Sequence, residues 1–281
     1  MFSSMSARRF SNKLFIILAT LAFLIALVPL GSILYQTITV GSTVLNTDFF
    51  TQITPPIGGS GGGILNAIEG SVVMVGIASL IGIPIGLFTG AYLSEYPGRL
   101  ASNVRLVAEV LTGVPSIVTG IVVYVVVVAT LHRFSALAGG IALSFMMIPI
   151  VAISTHESLR LVPSSIREGG LALGISRPKT LVYILVSTAK SGIITGIALS
   201  VARIMGETAP LLFTALGSQW LMTSVFDPAA SMTVLIYEFG TAPYPSSHAF
   251  AWGAALILLL LVLGLNVVVR IASRLKPTVP I

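Results

Sequence analysis

Six long apolar runs, separated by polar stretches, dominate the chain: Leu14–Tyr35, Gly70–Leu93, Leu106–Leu131, Leu137–Thr155, Gly192–Leu216 and Ala249–Ile271. About 20 apolar residues in a helix cross the ~30 Å hydrocarbon core of a bilayer. Each run therefore predicts a transmembrane helix, and the chain reads as an all-α membrane protein with six transmembrane helices. The first run follows basic residues, as a signal peptide does. It exceeds an h-region of about 7–15 residues and shows no small-residue cleavage site, so it predicts a retained anchor. Span two carries Gly82, Gly86 and Gly90 at intervals of four, which flattens one helix face and lets a neighbouring backbone approach. Pro84, Pro115 and Pro149 interrupt backbone bonding in spans two, three and four, which a bundle interior tolerates.

Composition supports the membrane assignment. Of 281 residues, 55% are hydrophobic and 9% charged, against about 25% charged in soluble domains. So few charges cannot cover a water-soluble body. The net charge is +6, but position says more than sum. Arg8, Arg9 and Lys13 precede span one, and Arg99 and Arg105 separate spans two and three. Arg160, Arg167, Arg177 and Lys179 separate four and five, Lys190 leads into five, and Arg270, Arg274 and Lys276 follow six. The long segments 36–69 and 217–248 hold no Lys or Arg, and only Arg133 sits on their side. By the positive-inside rule residues 1–13, the 156–191 loop and residues 272–281 are cytoplasmic, 36–69 and 217–248 are outer loops, and 14–271 form the membrane domain. The surplus charge thus sets topology, and no nucleic-acid partner is expected.

Other chemistries are absent from the sequence. There is no Cys, and His132, His156 and His248 match no metal-ligand spacing, so neither a thiolate centre nor a bound transition metal is expected. No Gly-Lys-Ser/Thr occurs, so the Gly-rich segment 58–63 is no P-loop and reads as slack between spans one and two. No Ser–His–Asp set or pair of catalytic carboxylates is evident, and the chain does not read as an enzyme.

Two segments carry information. After span four, Ser165-x-x-Glu168 has the capping-box pattern that starts a helix, Gly174 ends it, and Ser176 with Pro178 begins another. Ile166, Leu171 and Leu173 have no lipid to face there, which fits either a self-packed loop or a docking surface. In span five, Ser200, Arg203, Glu207, Pro210 and Thr214 advance by 3, 4, 3 and 4, which predicts one polar face on an apolar helix. An ionised group at membrane depth costs about 2.5–3.5 kcal/mol or more and belongs against protein or a watery path. Arg203 and Glu207 then form either a structural ion pair or an anion site. A guanidinium fork fits phosphate or sulfate oxygens. Glu207 is expected either to hold Arg203 when the site is empty or to accept a proton from a protonated oxyanion, which would favour phosphate over sulfate. Pro210 leaves the Gly206 carbonyl without a donor beside the pair.

The residues Glu168-Gly169-Gly170, Gly174 and Ile184 resemble the EAA loop of ABC importer permeases, E-A-A-x3-G-x9-I-x-L-P, whose helix docks on the ATPase subunit. Glycines replace both alanines, and Val186 and Ser187 stand at the Leu-Pro positions. Ala202 to Ala215, Val110 to Gly120 and Leu159 to Pro163 are similar to PstA-type phosphate permeases, across roughly residues 64–270. Ser154 stands where such permeases usually carry an Arg at the end of span four. The resemblance implies a MetI-like type I ABC importer permease with six spans. It implies that Arg203, Glu207, Ser200, Thr208 and Thr214 line the phosphate path. Ser165, Glu168, Gly169, Gly170, Ala172 and Gly174 would couple to the ATPase. Implied partners are a second, PstC-like phosphate permease, a PstB-like ATPase dimer, a PstS-like extracellular or periplasmic phosphate-binding protein and the lipid bilayer. No cofactor is expected on this chain; ATP and Mg belong to the ATPase. The alternatives are a permease for sulfate, molybdate or phosphonate, or an ATP-independent secondary transporter, against which the lack of an evident inverted repeat argues.

Overall fold

A computed structural model describes residues 3–59 and 61–274, with side chains over 8–59 and 61–271. Its helices are α1 (Ser3–Thr39), α2 (Leu65–Glu95), α3 (Arg99–Gly113), α4 (Ser116–Leu131) and α5 (Ala136–Arg160). They continue as α6 (Ser164–Ala172), α7 (Arg177–Met205), α8 (Ala209–Thr214), α9 (Met232–Thr241) and α10 (Pro245–Arg274). Among the described residues there is no strand, only an isolated bridge between Leu216 and Ala229. Residues 275–281, with Lys276, and Ser60 of the Gly-rich segment lie outside the described residues.

Five helices (α1, α2, α5, α7 and α10) are long and apolar enough to cross a membrane, and the bent pair α3–α4 makes a sixth crossing when counted once. At 1.5 Å per residue even the 25 residues of α5 reach roughly 37 Å, more than the hydrocarbon core. The centre of the bundle is α2 against α5. The glycine spacing in α2 creates this contact: an added Cβ would lie 3.0 Å from Met147 Cβ at Gly82, 2.6 Å from Val151 Cβ at Gly86 and 2.5 Å from the Ala152 carbonyl at Gly90. Lipid offers apolar groups as good a solvent as protein does, so close backbone approach and dispersion hold such a pair. Met74, Ala78, Leu143, Met147 and Val151 complete the core with Ile204 of α7 and Leu211 of α8. By contrast α1 has none of its apolar window buried and, among the described residues, packs mainly against α10 and the following turn, Gly41–Val44.

Three expectations need correction. The apolar run 106–131 is not one helix: α3 and α4 meet at a 104° bend. Pro115 has no N–H to continue α3 and holds Val114 extended (φ −67°, ψ 128°). Arg105 bonds Glu109 at 2.7 Å and lies 3.6 Å from Glu157, so α3 stays beside the basic end of α5. Nor is the run 192–216 one helix, because α7 stops at Met205 and α8 starts at Ala209. The Gly-rich segment is not slack either. Gly63 donates to the Ile53 carbonyl at 2.9 Å, and a Cβ there would come within 2.6 Å of three carbonyls of the Thr47–Thr51 turn region.

Candidate functional site

Arg203 stands in the last turn of α7. Counted from Lys190, it lies about 20 Å along the helix axis, within the depth of a hydrocarbon core. The chain then breaks: Gly206 (φ −92°, ψ 0°) caps α7, and Glu207 donates to the Ile204 carbonyl at 3.2 Å. Pro210 occupies the first turn of α8, where a missing N–H is tolerated. It therefore starts a helix here; no continuing helix exists whose bond to Gly206 it would remove. The Glu207 carbonyl is not idle, since Thr233 Oγ1 of α9 donates to it at 2.8 Å.

The regular polar face of five residues is thereby reduced. Ser200 is fully buried, with Oγ donating to the Ile197 carbonyl at 2.7 Å, and Thr214 is fully buried, with Oγ1 donating to the Pro210 carbonyl at 2.8 Å. Both hydroxyls are spent on their own helices. Arg203, Glu207 and Thr208 remain together at the break. The Arg203 side chain is half exposed, the Glu207 side chain 19% exposed, and Nε lies 4.0 Å from Oε1. That separation gives attraction without a hydrogen bond, so the guanidinium donors are open to another oxyanion. Ser154, at the position where an Arg was the family expectation, packs against Gly196 of α7: a Cβ on Gly196 would lie 2.4 Å from Ser154 Cβ. Gly192 meets Ser158 in the same way, so small residues close the α5–α7 crossing and no cation enters from that point of α5.

The second segment folds as a helix, a turn and a helix, with one change at its start. Pro163 is the cap residue and no side chain caps α6, so Ser165 sits two positions too deep for a capping box with Glu168. The end follows glycine chemistry. Gly174 adopts φ +78°, donates to the Leu171 carbonyl at 3.0 Å, and Ile175 donates to the Gly170 carbonyl at 3.2 Å, a Schellman closure. Gly169 faces open space, whereas Gly170 is buried and a Cβ would lie 3.0 Å from both Thr180 and Ile184. Glu168, Leu171, Ala172 and Leu173 are exposed, which leaves a free face on α6.

Sequence reading missed three features. Arg167 of α6 bonds Glu95 at the end of α2. Asn66, 1% exposed, accepts from Thr54 N and Oγ1 and donates to the Ser218 carbonyl at 2.7 Å. A cavity of about 250 Å³ opens beside them, lined by Thr54, Ser218, Gln219, Ser231 and Glu238. Burial at this rim pushes the Glu238 carboxyl above its usual range, although part of the side chain reaches solvent. In the sequence, only a polar Asn66 and an acidic Glu238 set among apolar residues were visible as signals.

Residues 82–276 match the family described as binding-protein-dependent transport system inner membrane component. The phosphate transport system permease protein PstA of Haemophilus influenzae is 42% identical over 266 residues, 94% of each chain. A probable phosphate transport system permease protein PstA of Methanocaldococcus jannaschii is 35% identical over 95% of each. Among solved structures, a bacterial alginate ABC transporter chain aligns with TM-score 0.67 and 12% identity over 92% of this chain and 94% of its own. An inward-facing MetNI methionine ABC transporter chain aligns with TM-score 0.61 and 16% identity over 75% and 93%. At those identities the structures establish a shared fold alone. With its apolar helices and full-length likeness, this multi-pass membrane protein belongs to the PstA branch of the binding-protein-dependent inner membrane transport components, with the MetI-like ABC permease fold.

Proposed function

We propose that this chain is the permease subunit of an ATP-driven phosphate importer. The observation that carries the reading is the 42% identity to a phosphate permease along 94% of both chains. The geometry supports it, because a guanidinium with open donors at membrane depth suits a phosphate oxyanion. A second permease completes the path, an ATPase dimer supplies energy, and an extracellular or periplasmic binding protein delivers phosphate. Both termini and the α6 loop face the cytoplasm, where the basic residues cluster. Phosphate accumulation in proteoliposomes should require all four components. Accumulation by this chain alone would overturn the reading.

Two side-chain roles follow. Glu207 holds Arg203 by charge in the empty state and accepts a hydrogen bond from the O–H of an arriving monohydrogen or dihydrogen phosphate. Glu207→Gln should lower the preference for phosphate over sulfate about tenfold, one lost charge-assisted bond, measured as a ratio of uptake rates; an unchanged ratio removes Glu207 from selectivity. Glu168 lies on the exposed face of α6, the surface assigned to ATPase docking. Glu168→Lys should weaken ATPase retention on the purified permeases by about tenfold or more, the effect of reversing a contact charge. Undiminished co-purification would contradict docking through this face.

A further inference from the structure

We propose that the Glu95–Arg167 ion pair is the positioning contact through which movement of α6 reaches α2 and, through α2, the loops at the far pole. This rests on the reading of α6 as the ATPase-docking helix. The contacts of α6 with α5 and α7 are apolar and close in sequence. Gly170 lies against Thr180 and Ile184, and Ile166 joins Leu159, Leu185, Ala189 and Ile193. Leu87 and Ala91, on the flank of α2, also border this apolar cluster. The charged contact runs instead to a residue 72 positions away. Glu95 is the last residue of α2, its side chain is 9% exposed, and that of Arg167 is 30% exposed. In so little water the pair is screened weakly and holds its geometry.

The opposite end of α2 is also tied. Asn66 donates to the Ser218 carbonyl, Glu69 Oε2 accepts from Met222 N at 3.1 Å, and Ser71 Oγ accepts from Met232 N at 2.9 Å. Over its 31 residues α2 is thus a rod of roughly 45 Å. It is charge-linked to α6 at one end and hydrogen-bonded to the 217–232 segment at the other. A cavity of about 290 Å³ flanks the ion pair and is lined by Ser94, Glu95, Pro97, Arg167, Leu171 and Arg177. It gives the Arg167 side chain room to follow Glu95, and Arg177 keeps a second cation at the same carboxylate's cavity.

The test uses the complete importer in proteoliposomes, with Glu95→Gln, Arg167→Gln and the double variant. Phosphate accumulated per ATP hydrolysed is compared with the wild type on the same preparation. Each single variant should lose about fivefold or more of this ratio, in the range of ordinary coupling between sites. The ATPase subunit should stay bound in wild-type amount. The double variant should lose no more than the worse single, because both substitutions remove one contact. Unchanged ratios in the singles, additive losses in the double, or losses that simply track missing ATPase would each overturn the proposal. Failure of wild-type chain to accumulate phosphate would instead count against the substrate reading, since the variant-to-wild-type ratio is measurable on whichever oxyanion is carried.

Discussion

Replacing Arg203 with Gln should reduce phosphate uptake at least ~100-fold while the importer still assembles. A charge-assisted hydrogen bond contributes about 1.5–3 kcal/mol, and every 1.4 kcal/mol is tenfold. A guanidinium that grips phosphate through two such bonds therefore accounts for two decades or more. Gln keeps a donor but loses the charge and the fork. Assembly should survive because Arg203 is half exposed, and its contact to Glu207 at 4.0 Å is too long for a hydrogen bond. The side chain thus holds little of the fold together. Uptake at micromolar phosphate and the yield of intact complex check the two halves separately. Wild-type uptake by the variant would remove Arg203 from the path.

Gly90→Leu should cause the largest loss of folded protein. A Cβ at Gly90 would lie 2.5 Å from the Ala152 carbonyl and 2.6 Å from Thr155 Cβ, so even the first added atom meets backbone. Backbone cannot turn aside as a side-chain end can. The α2–α5 pair must separate, and overpacking by several carbons costs about 3 kcal/mol or more. The loss is read as a lowered midpoint of thermal aggregation in detergent, alongside Gly76→Leu as control. Gly76 lies on the same helix with nothing within 4 Å of its added Cβ, so that variant should match the wild type. Equal midpoints for both variants would mean that the α2–α5 contact is not what holds the bundle.

Much of this architecture was legible in the chain because lipid imposes long apolar runs, and glycines at intervals of four mark a close face. The end of α6 was legible at Gly174, whose positive φ suits glycine. The breaks were less so. Residues 200–214 satisfy helical spacing throughout, and tertiary packing decides otherwise. Pro210 seats against Gly120 of α4, and Thr233 bonds the Glu207 carbonyl, so the backbone leaves the helix where outside partners take over its hydrogen bonds. The same holds at Val114, where Pro115 gave a signal that the apolar run masked. Spacing arguments placed Ser200 and Thr214 beside Arg203, but such arguments do not reveal that a hydroxyl bonds its own helix. The Glu95–Arg167 pair was invisible because nothing local joins residues 72 apart.

The most direct measurement is phosphate uptake at micromolar concentration in cells lacking this gene and carrying it restored, with sulfate and molybdate as competitors and with ATP hydrolysis blocked in a parallel sample. Restored uptake that ignores both competitors and stops with the ATPase is the expected result. Uptake that yields to sulfate or molybdate, or persists without ATP, would contradict an ATP-driven phosphate importer.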